Sequence, residues 1–215
     1  MIRVLTYMFN NMDRIGARAV EHLAISSSAL FLAIIVAIPI GIFLTRKEQF
    51  AQPMLGAANI IMTIPSLALL AFMLPILGIG NRPAIAALFL YALMPIMRNT
   101  YTGIKRVSPT LKEAAMGMGM TDFQVLYSVE LPIAMSFIIA GIRTTYVILI
   151  GWTTLAAFIG GGGLGQLIWS GLNTSNYNLI YSGAIPSALL ALIADYLIGH
   201  LENWITPRGL KSKNA

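Results

Sequence analysis

The sequence predicts an all-α membrane protein with about five transmembrane helices. Of its 215 residues, 57% are hydrophobic and 10% are charged, whereas a soluble domain has about 25% charged residues. Several apolar segments approach or exceed the roughly 20 helical residues that cross a bilayer. The net charge of +6 is that expected of basic residues in cytoplasmic loops, so we predict a lipid bilayer as the partner and no nucleic acid.

Five apolar segments are predicted to span the membrane, and prolines inside several of them predict bent helices. The stretch 144–194 contains no charged residue; it is too long for one crossing, and a glycine run at 160–165 divides it. The predicted spans are residues 24–44, 53–77, 84–100, 138–159 and 179–201.

Three regions follow from this pattern. Residues 1–23 interleave charged and apolar residues, which is typical of an interfacial amphipathic segment. Residues 24–201 form the predicted transmembrane domain, and residues 202–215 form a tail.

Basic residues predict the orientation of the chain. They occur at 46–47, 98–112 and 208–213, and these three positions are mutually consistent as cytoplasmic loops. The N-terminus is then outside and the tail is cytoplasmic. Arg3, Arg14 and Arg18 depart from this rule, although snorkelling at the interface reduces the conflict.

A polar stretch at residues 105–132 interrupts the apolar segments. Pro109 suits the first position of a helix, Gly119 suits a turn with positive φ, and Thr121 with Gln124 forms a potential capping box. These signals predict two short helices joined at a glycine, a compact knob that fits a groove on another protein. The stretch contains a spaced motif. Glu-Ala-Ala is followed after three residues by glycine, after nine more by valine, and after one more by Leu-Pro. Its candidate site residues are Glu113, Ala114, Ala115, Gly119, Leu131 and Pro132.

The glycine run contains a GxGxxG pattern. A dinucleotide site also needs a preceding strand and an acidic residue about 20 positions further on. Here a predicted membrane helix precedes the run, and no acidic residue occurs before Asp195. These conditions argue against nucleotide binding. The orientation given by the basic residues places the run outside, where glycines allow a tight loop and close approach by a partner; the candidates are Gly160, Gly161, Gly162, Gly163 and Gly165. No cysteine occurs and the two histidines are far apart, so no disulfide, metal site or cofactor is predicted.

Several segments resemble the permease subunits of binding-protein-dependent ATP-binding-cassette importers for osmoprotectants. They include RNTYTGI, EAAMGMGMT, IGWTTLAAFIGGGGLG and the tail TPRGL, and the likeness covers roughly residues 20–210. Val129 stands where the family's coupling motif usually has isoleucine. The resemblance implies an importer-permease fold in the cytoplasmic membrane and uptake of glycine betaine, carnitine or choline.

The resemblance also implies partners and roles. Residues 105–132 become a cytoplasmic coupling loop whose motif residues contact a dimer of ATPase subunits. A homologous or identical permease subunit completes the pathway, and an extracytoplasmic binding protein delivers substrate. The chain is then not an enzyme, because ATP hydrolysis belongs to the separate ATPase.

Aromatic residues of the spans could offer ring faces to a quaternary ammonium group. The candidates are Tyr91, Tyr146 and Trp152, and packing or an aromatic belt is the competing interpretation. Arg143, inside the fourth span, is predicted either to snorkel to the inner surface or to pair with Asp195, as an anchor rather than a transport group.

Three other classes of protein have different sequence requirements. The methionine permease group shares the coupling motif and the glycine run. A secondary transporter driven by ion gradients often shows internal repeats; we find no repeat, and the coupling motif would have no purpose there. An intramembrane enzyme would need a catalytic constellation, and none occurs at usable spacing.

Overall fold

The computed structural model describes residues 2–205, and side chains from residue 4 onward, so most of the predicted tail lies outside the described residues. The described chain is helical and contains no strand. Short 3₁₀ turns cover Glu48–Phe50 and Thr154–Ile159, and a π-helical turn covers Leu126–Glu130. The α-helices are α1 Ile2–Asn10, α2 Met12–Arg46, α3 Ala51–Thr63, α4 Ser66–Leu77, α5 Asn81–Lys105, α6 Pro109–Gly117, α7 Asp122–Val125, α8 Leu131–Thr153, α9 Gly165–Asn173 and α10 Tyr177–Ile205.

The core lies where α2, α5 and α8 pack together, with α10 against α8. Small residues recur every four positions along α2, at Ala29, Ala33, Ala37 and Gly41, and the three alanines are fully buried. A Cβ added to Gly41 would lie 2.7 Å from Cβ of Thr100 on α5. Small residues at one helix face allow the backbones to approach closely, which is the usual way that membrane helices associate.

Three segments are long and apolar enough to cross a membrane: Met12–Arg46, Asp122–Ile159 and Tyr177–Ile205. The pair formed by Glu48–Thr63 and Ser66–Leu77 passes the same test together but bends by 98°. The helix α5 is less apolar, but its 25 residues extend about 37 Å, which exceeds the roughly 30 Å hydrocarbon core.

The bent pair is a broken span rather than a re-entrant loop. At the start of its first helix, Glu48 pairs with Lys105, the last residue of α5. After its second helix, the Gly80 N–H donates to the Ile159 carbonyl at 3.2 Å, and Gly80 directly precedes the first residue of α5. The pair therefore connects opposite ends of α5, which supports about five crossings.

The prolines of the predicted spans differ in whether they interrupt a helix. Pro65 separates α3 from α4, where the chain bends, whereas Pro75, Pro95 and Pro186 lie inside helices that continue past them. The carbonyl before the break, on Ile64, accepts a hydrogen bond from the Tyr91 hydroxyl. A buried carbonyl that loses its helical partner needs such a replacement donor within a membrane.

No helix boundary lies at residue 23, where the predicted N-terminal segment ends. Residues 12–23 form the first third of α2, which continues without interruption to Arg46. A separate helix, α1, packs against α10. The interfacial location of residues 1–23 stays a prediction, but the helix boundary lies at Asn11.

Candidate functional site

The coupling loop folds as the predicted pair of short helices. Pro109 occupies the first turn of α6, and Thr121 and Gln124 form both hydrogen bonds of a capping box at the start of α7. Gly119 lies between the helices with φ +86°. A Cβ there would meet no atom within 4 Å, so glycine is favoured at this position by backbone conformation rather than by lack of space.

The motif residues divide into buried and exposed positions. Ala115 is buried, while Glu113, Ala114, Gly119 and Pro132 are exposed and Leu131 is half-buried. Large apolar side chains around them also face outward, namely Leu111, Met116, Met118, Phe123 and Tyr127. An exposed group of apolar side chains of this kind marks an interaction surface.

A buried carboxylate that the sequence analysis missed holds the coupling loop to the bundle. Glu130 has no exposed side-chain surface and lies 2.8 Å from Lys112 Nζ on α6. The Arg46 guanidinium, at the end of α2, also donates to Glu130, with Nη1 to Oε1 at 3.4 Å. One carboxylate thus joins α2, α6 and the start of α8. An acidic residue between Val129 and Leu131, in an otherwise apolar sequence, was the available signal.

At the opposite end of the bundle, the glycine run packs against α2. Gly160 is exposed, but Gly161, Gly162, Gly163 and Gly165 are buried. A Cβ added to Gly162 would lie 1.8 Å from Glu21 Oε1. The close approach that these glycines permit is therefore made by another part of the same chain.

Glu21 and Asn81 hold the glycine run in place. The Glu21 carboxylate accepts hydrogen bonds from the Gly163 N–H at 2.9 Å and from Asn81 Nδ2 at 3.2 Å. The Asn81 Oδ1 atom accepts from the Gly162 N–H at 2.7 Å. Arg18 pairs with the same carboxylate at 2.6 Å. This arrangement ties the loop to the start of α5 and to α2.

The structure brings two of the three aromatic candidates together. The rings of Tyr91 and Trp152 lie 4.4 Å apart between centroids, and Tyr91 is only 3% exposed. The Tyr146 hydroxyl instead forms a hydrogen bond with Ser27 Oγ at 2.6 Å, joining α8 to α2. Tyr91 thus belongs to the core of this subunit, and contact of any of the three with substrate stays a prediction.

Arg143 forms the predicted pair with Asp195. Its Nε and Nη2 atoms donate to the two carboxylate oxygens at 2.6 and 2.7 Å, and Nη1 donates to Glu202 at 3.3 Å. The guanidinium lies against Gly199, where a Cβ would approach Cζ to 2.8 Å. The cluster links α8 to α10. Within residues 4–205, no three His, Cys, Asp or Glu side chains come together as potential metal ligands.

Comparison with known proteins places this geometry in a family. Residues 22–207 match the family described as "binding-protein-dependent transport system inner membrane component". The chain is 48% identical over 211 residues to the glycine betaine/carnitine/choline transport system permease protein OpuCB of Bacillus subtilis, covering 98% of this chain and 97% of that one. It is 41% identical to the osmoprotectant import permease protein OsmW of Salmonella typhimurium, covering 95% and 98%.

A solved structure confirms the fold. The MetNI methionine ABC transporter, in inward-facing conformations, superposes with a TM-score of 0.84 at 22% identity, covering 91% of this chain and 98% of that one. The predicted importer-permease fold and membrane location are confirmed. From the family match over most of its length, the chain belongs to the inner membrane components of binding-protein-dependent transport systems.

Proposed function

We propose that the chain is the permease subunit of an ATP-driven importer of quaternary-amine osmoprotectants, among them glycine betaine, carnitine and choline. The observation that carries this proposal is 48% identity over almost the full length of a permease named for these three substrates. Relatives named for choline and for carnitine transport are each 46% identical over 98% of the chain. The likeness to the methionine transporter, at 22% identity, concerns the fold alone.

The coupling loop is the proposed contact with a cytoplasmic ATPase dimer. Its exposed apolar side chains offer the surface, and the buried Glu130 pairs give that surface a fixed position relative to α2 and α8. Glu113, in the same loop, is exposed and is available to a basic group of the ATPase. Movement of the ATPase would then reach the membrane helices through α6 and α7, and this chain would hydrolyse nothing itself.

The remaining proposed partners are a second permease subunit, identical or homologous, and an extracytoplasmic binding protein. We place the binding protein at the end of the bundle that carries the glycine run, opposite the coupling loop. Tyr146 and Trp152 are half-buried and can offer ring faces to a quaternary ammonium group in the pathway between the subunits. Tyr91 supports Trp152 from the core.

Uptake of labelled substrates tests the proposal. Cells that lack their own importers would receive this permease with its partner subunits, and uptake of glycine betaine, carnitine, choline and methionine would be measured. We expect uptake of at least one quaternary amine and its loss when the ATPase subunit carries a substitution that abolishes hydrolysis. Uptake of methionine alone would contradict the substrate class. Uptake that persists with the inactive ATPase would favour a transporter driven by an ion gradient.

A further inference from the structure

A polar groove lies between α3 and α5, near the end of the bundle that carries the coupling loop. It is an open groove with a volume of about 330 Å³, which is within the range of small-molecule sites. Its polar lining comprises Gln52 and Asn59 from α3 with Arg98, Tyr101 and Thr102 from α5. We call this the α3–α5 groove.

The Arg98 side chain is exposed in this groove and has no carboxylate beside it. Among residues 4–205, no Asp or Glu lines the groove and no ion pair or hydrogen bond involves the Arg98 guanidinium. Arg98 lies seven residues, or about 10 Å, before the end of α5. Arg98 thus lies at the cytoplasmic edge of the span, and an ionisable group that lies within a membrane segment is a candidate functional group. Arg143, in contrast, is neutralised by Asp195.

The other lining groups complement a molecule that carries two charges. Tyr101 is three residues after Arg98 and therefore on the same face of α5, one turn away. Its half-buried ring can contact a quaternary ammonium group, while Gln52, Asn59 and Thr102 supply neutral hydrogen-bonding groups. The guanidinium is suited to a carboxylate, which it can bind through two parallel hydrogen bonds. A simple cation would contact the ring but would meet the positive charge of Arg98.

We infer that the α3–α5 groove binds zwitterionic quaternary amines, with Arg98 holding the carboxylate, and that this contact favours betaines over choline in this subunit. The inference rests on the proposed function, since it assigns a site to the proposed substrates. A lipid phosphate is an oxyanion that Arg98 could also bind. A substrate carboxylate and a lipid phosphate can be distinguished, because only a substrate contact makes transport depend on the carboxylate of the substrate.

Substrate selectivity of Arg98 variants tests this inference in the complete transporter. Arg98→Gln removes the charge, Arg98→Lys keeps it, and Arg82→Gln is the matched control, since Arg82 is an exposed arginine at the other end of α5. Each variant would be quantified in the membrane, and initial rates of glycine betaine, carnitine and choline uptake would be measured below saturation. The same binding protein serves every variant, so its own selectivity cancels in ratios to the wild type.

We expect Arg98→Gln to lower the ratio of betaine to choline uptake about tenfold, the effect of losing a hydrogen bond to a charged group. Arg98→Lys should retain most of the ratio, and Arg82→Gln should leave it unchanged. An unchanged ratio in Arg98→Gln would overturn the inference. So would an equal loss for all substrates, which a lipid or packing role predicts, or a wild type that transports choline alone.

The inference can also be tested if the wild-type transporter takes up only the carboxylated substrates. Betaine uptake by Arg98→Gln should then fall about tenfold below that of Arg82→Gln, while ATP hydrolysis of the assembled transporter without substrate stays unchanged. Equal uptake would overturn the inference, and so would an equal loss of uptake and of substrate-free hydrolysis, which a lipid or packing role predicts. Absence of all quaternary-amine uptake in the wild type would instead contradict the proposed function, so the two failures are distinguishable.

Discussion

Replacing Lys112 with methionine should loosen the first helix of the coupling loop. Lys112 Nζ lies 2.8 Å from a carboxylate oxygen of Glu130, which is fully buried, while the Lys112 side chain is 24% exposed. Arg46 still neutralises Glu130 in the variant, so no buried charge is left unpaired. A hydrogen bond to a charged group contributes about 1.5–3 kcal/mol. Partial exposure of Lys112 favours the lower part of that range, about 1.5–2 kcal/mol.

Hydrogen exchange of the α6 amides measures this change directly. Exchange reports the free energy of local opening, so a loss of about 1.5–2 kcal/mol corresponds to exchange about 10- to 30-fold faster. The measurement uses the assembled, purified transporter with wild-type and Lys112→Met permease. We also expect ATP hydrolysis stimulated by the binding protein to fall, because α6 no longer has a fixed position against α2 and α8.

Lys105→Met is the matched control. Lys105 pairs with Glu48, but these side chains are 35% and 66% exposed, and exposed pairs contribute about 0–1 kcal/mol. Exchange in α6 should therefore rise less than about fivefold in the control. Equal exchange in Lys112→Met and the wild type, or the same acceleration in both variants, would refute the role assigned to the buried pair.

Two further pairs of glycine variants test backbone conformation and close packing. Gly119→Ala should reduce transport-coupled ATP hydrolysis, because its positive φ costs a non-glycine residue about 1–2 kcal/mol. Gly117→Ala, in helical backbone with open space around it, should not reduce it, and equal activities would contradict this account. Gly162→Ala should lower the free energy of unfolding of the purified complex by about 1–3 kcal/mol, because its Cβ would displace the Glu21 carboxylate from its hydrogen bonds with the Gly163 N–H and Asn81. Gly16→Ala lies inside α2 and meets nothing within 4 Å, so it should not lower stability, because alanine favours a helix more than glycine does. Equal melting temperatures of the two variants would exclude the proposed contact.

The local structure of the coupling loop could be predicted because its determinants are close in sequence. Pro109 begins α6, Gly119 takes positive φ, and Thr121 caps α7 with Gln124, three residues later. Each interaction depends on backbone geometry over one or two turns. The prediction of two short helices was therefore confirmed without any information on packing.

The membrane class and most helix positions were also predictable, since the bilayer requires long apolar helices wherever it is crossed. The bend in the second span was only partly predictable from the sequence. A proline inside this span, Pro65, is one of those that predicted a bent helix, but the hydroxyl that satisfies the Ile64 carbonyl comes from Tyr91, 27 residues away. Tyr91 was predicted as a pathway residue, and only the structure shows that its ring is buried and its hydroxyl is engaged.

The amino-acid sequence by itself determined the class of the protein, the positions of most helices and the local form of the coupling loop. Only the tertiary structure decided that Glu130 meets Arg46 across 84 positions of sequence and that Glu21 meets Gly163 across 142. It also placed Arg98 in a groove with α3 while Arg143 received a carboxylate partner. The physical reason is that helix formation depends on neighbours within a few residues. Pairing of a buried charge depends on which helix faces pack together, and that choice is made by the whole bundle.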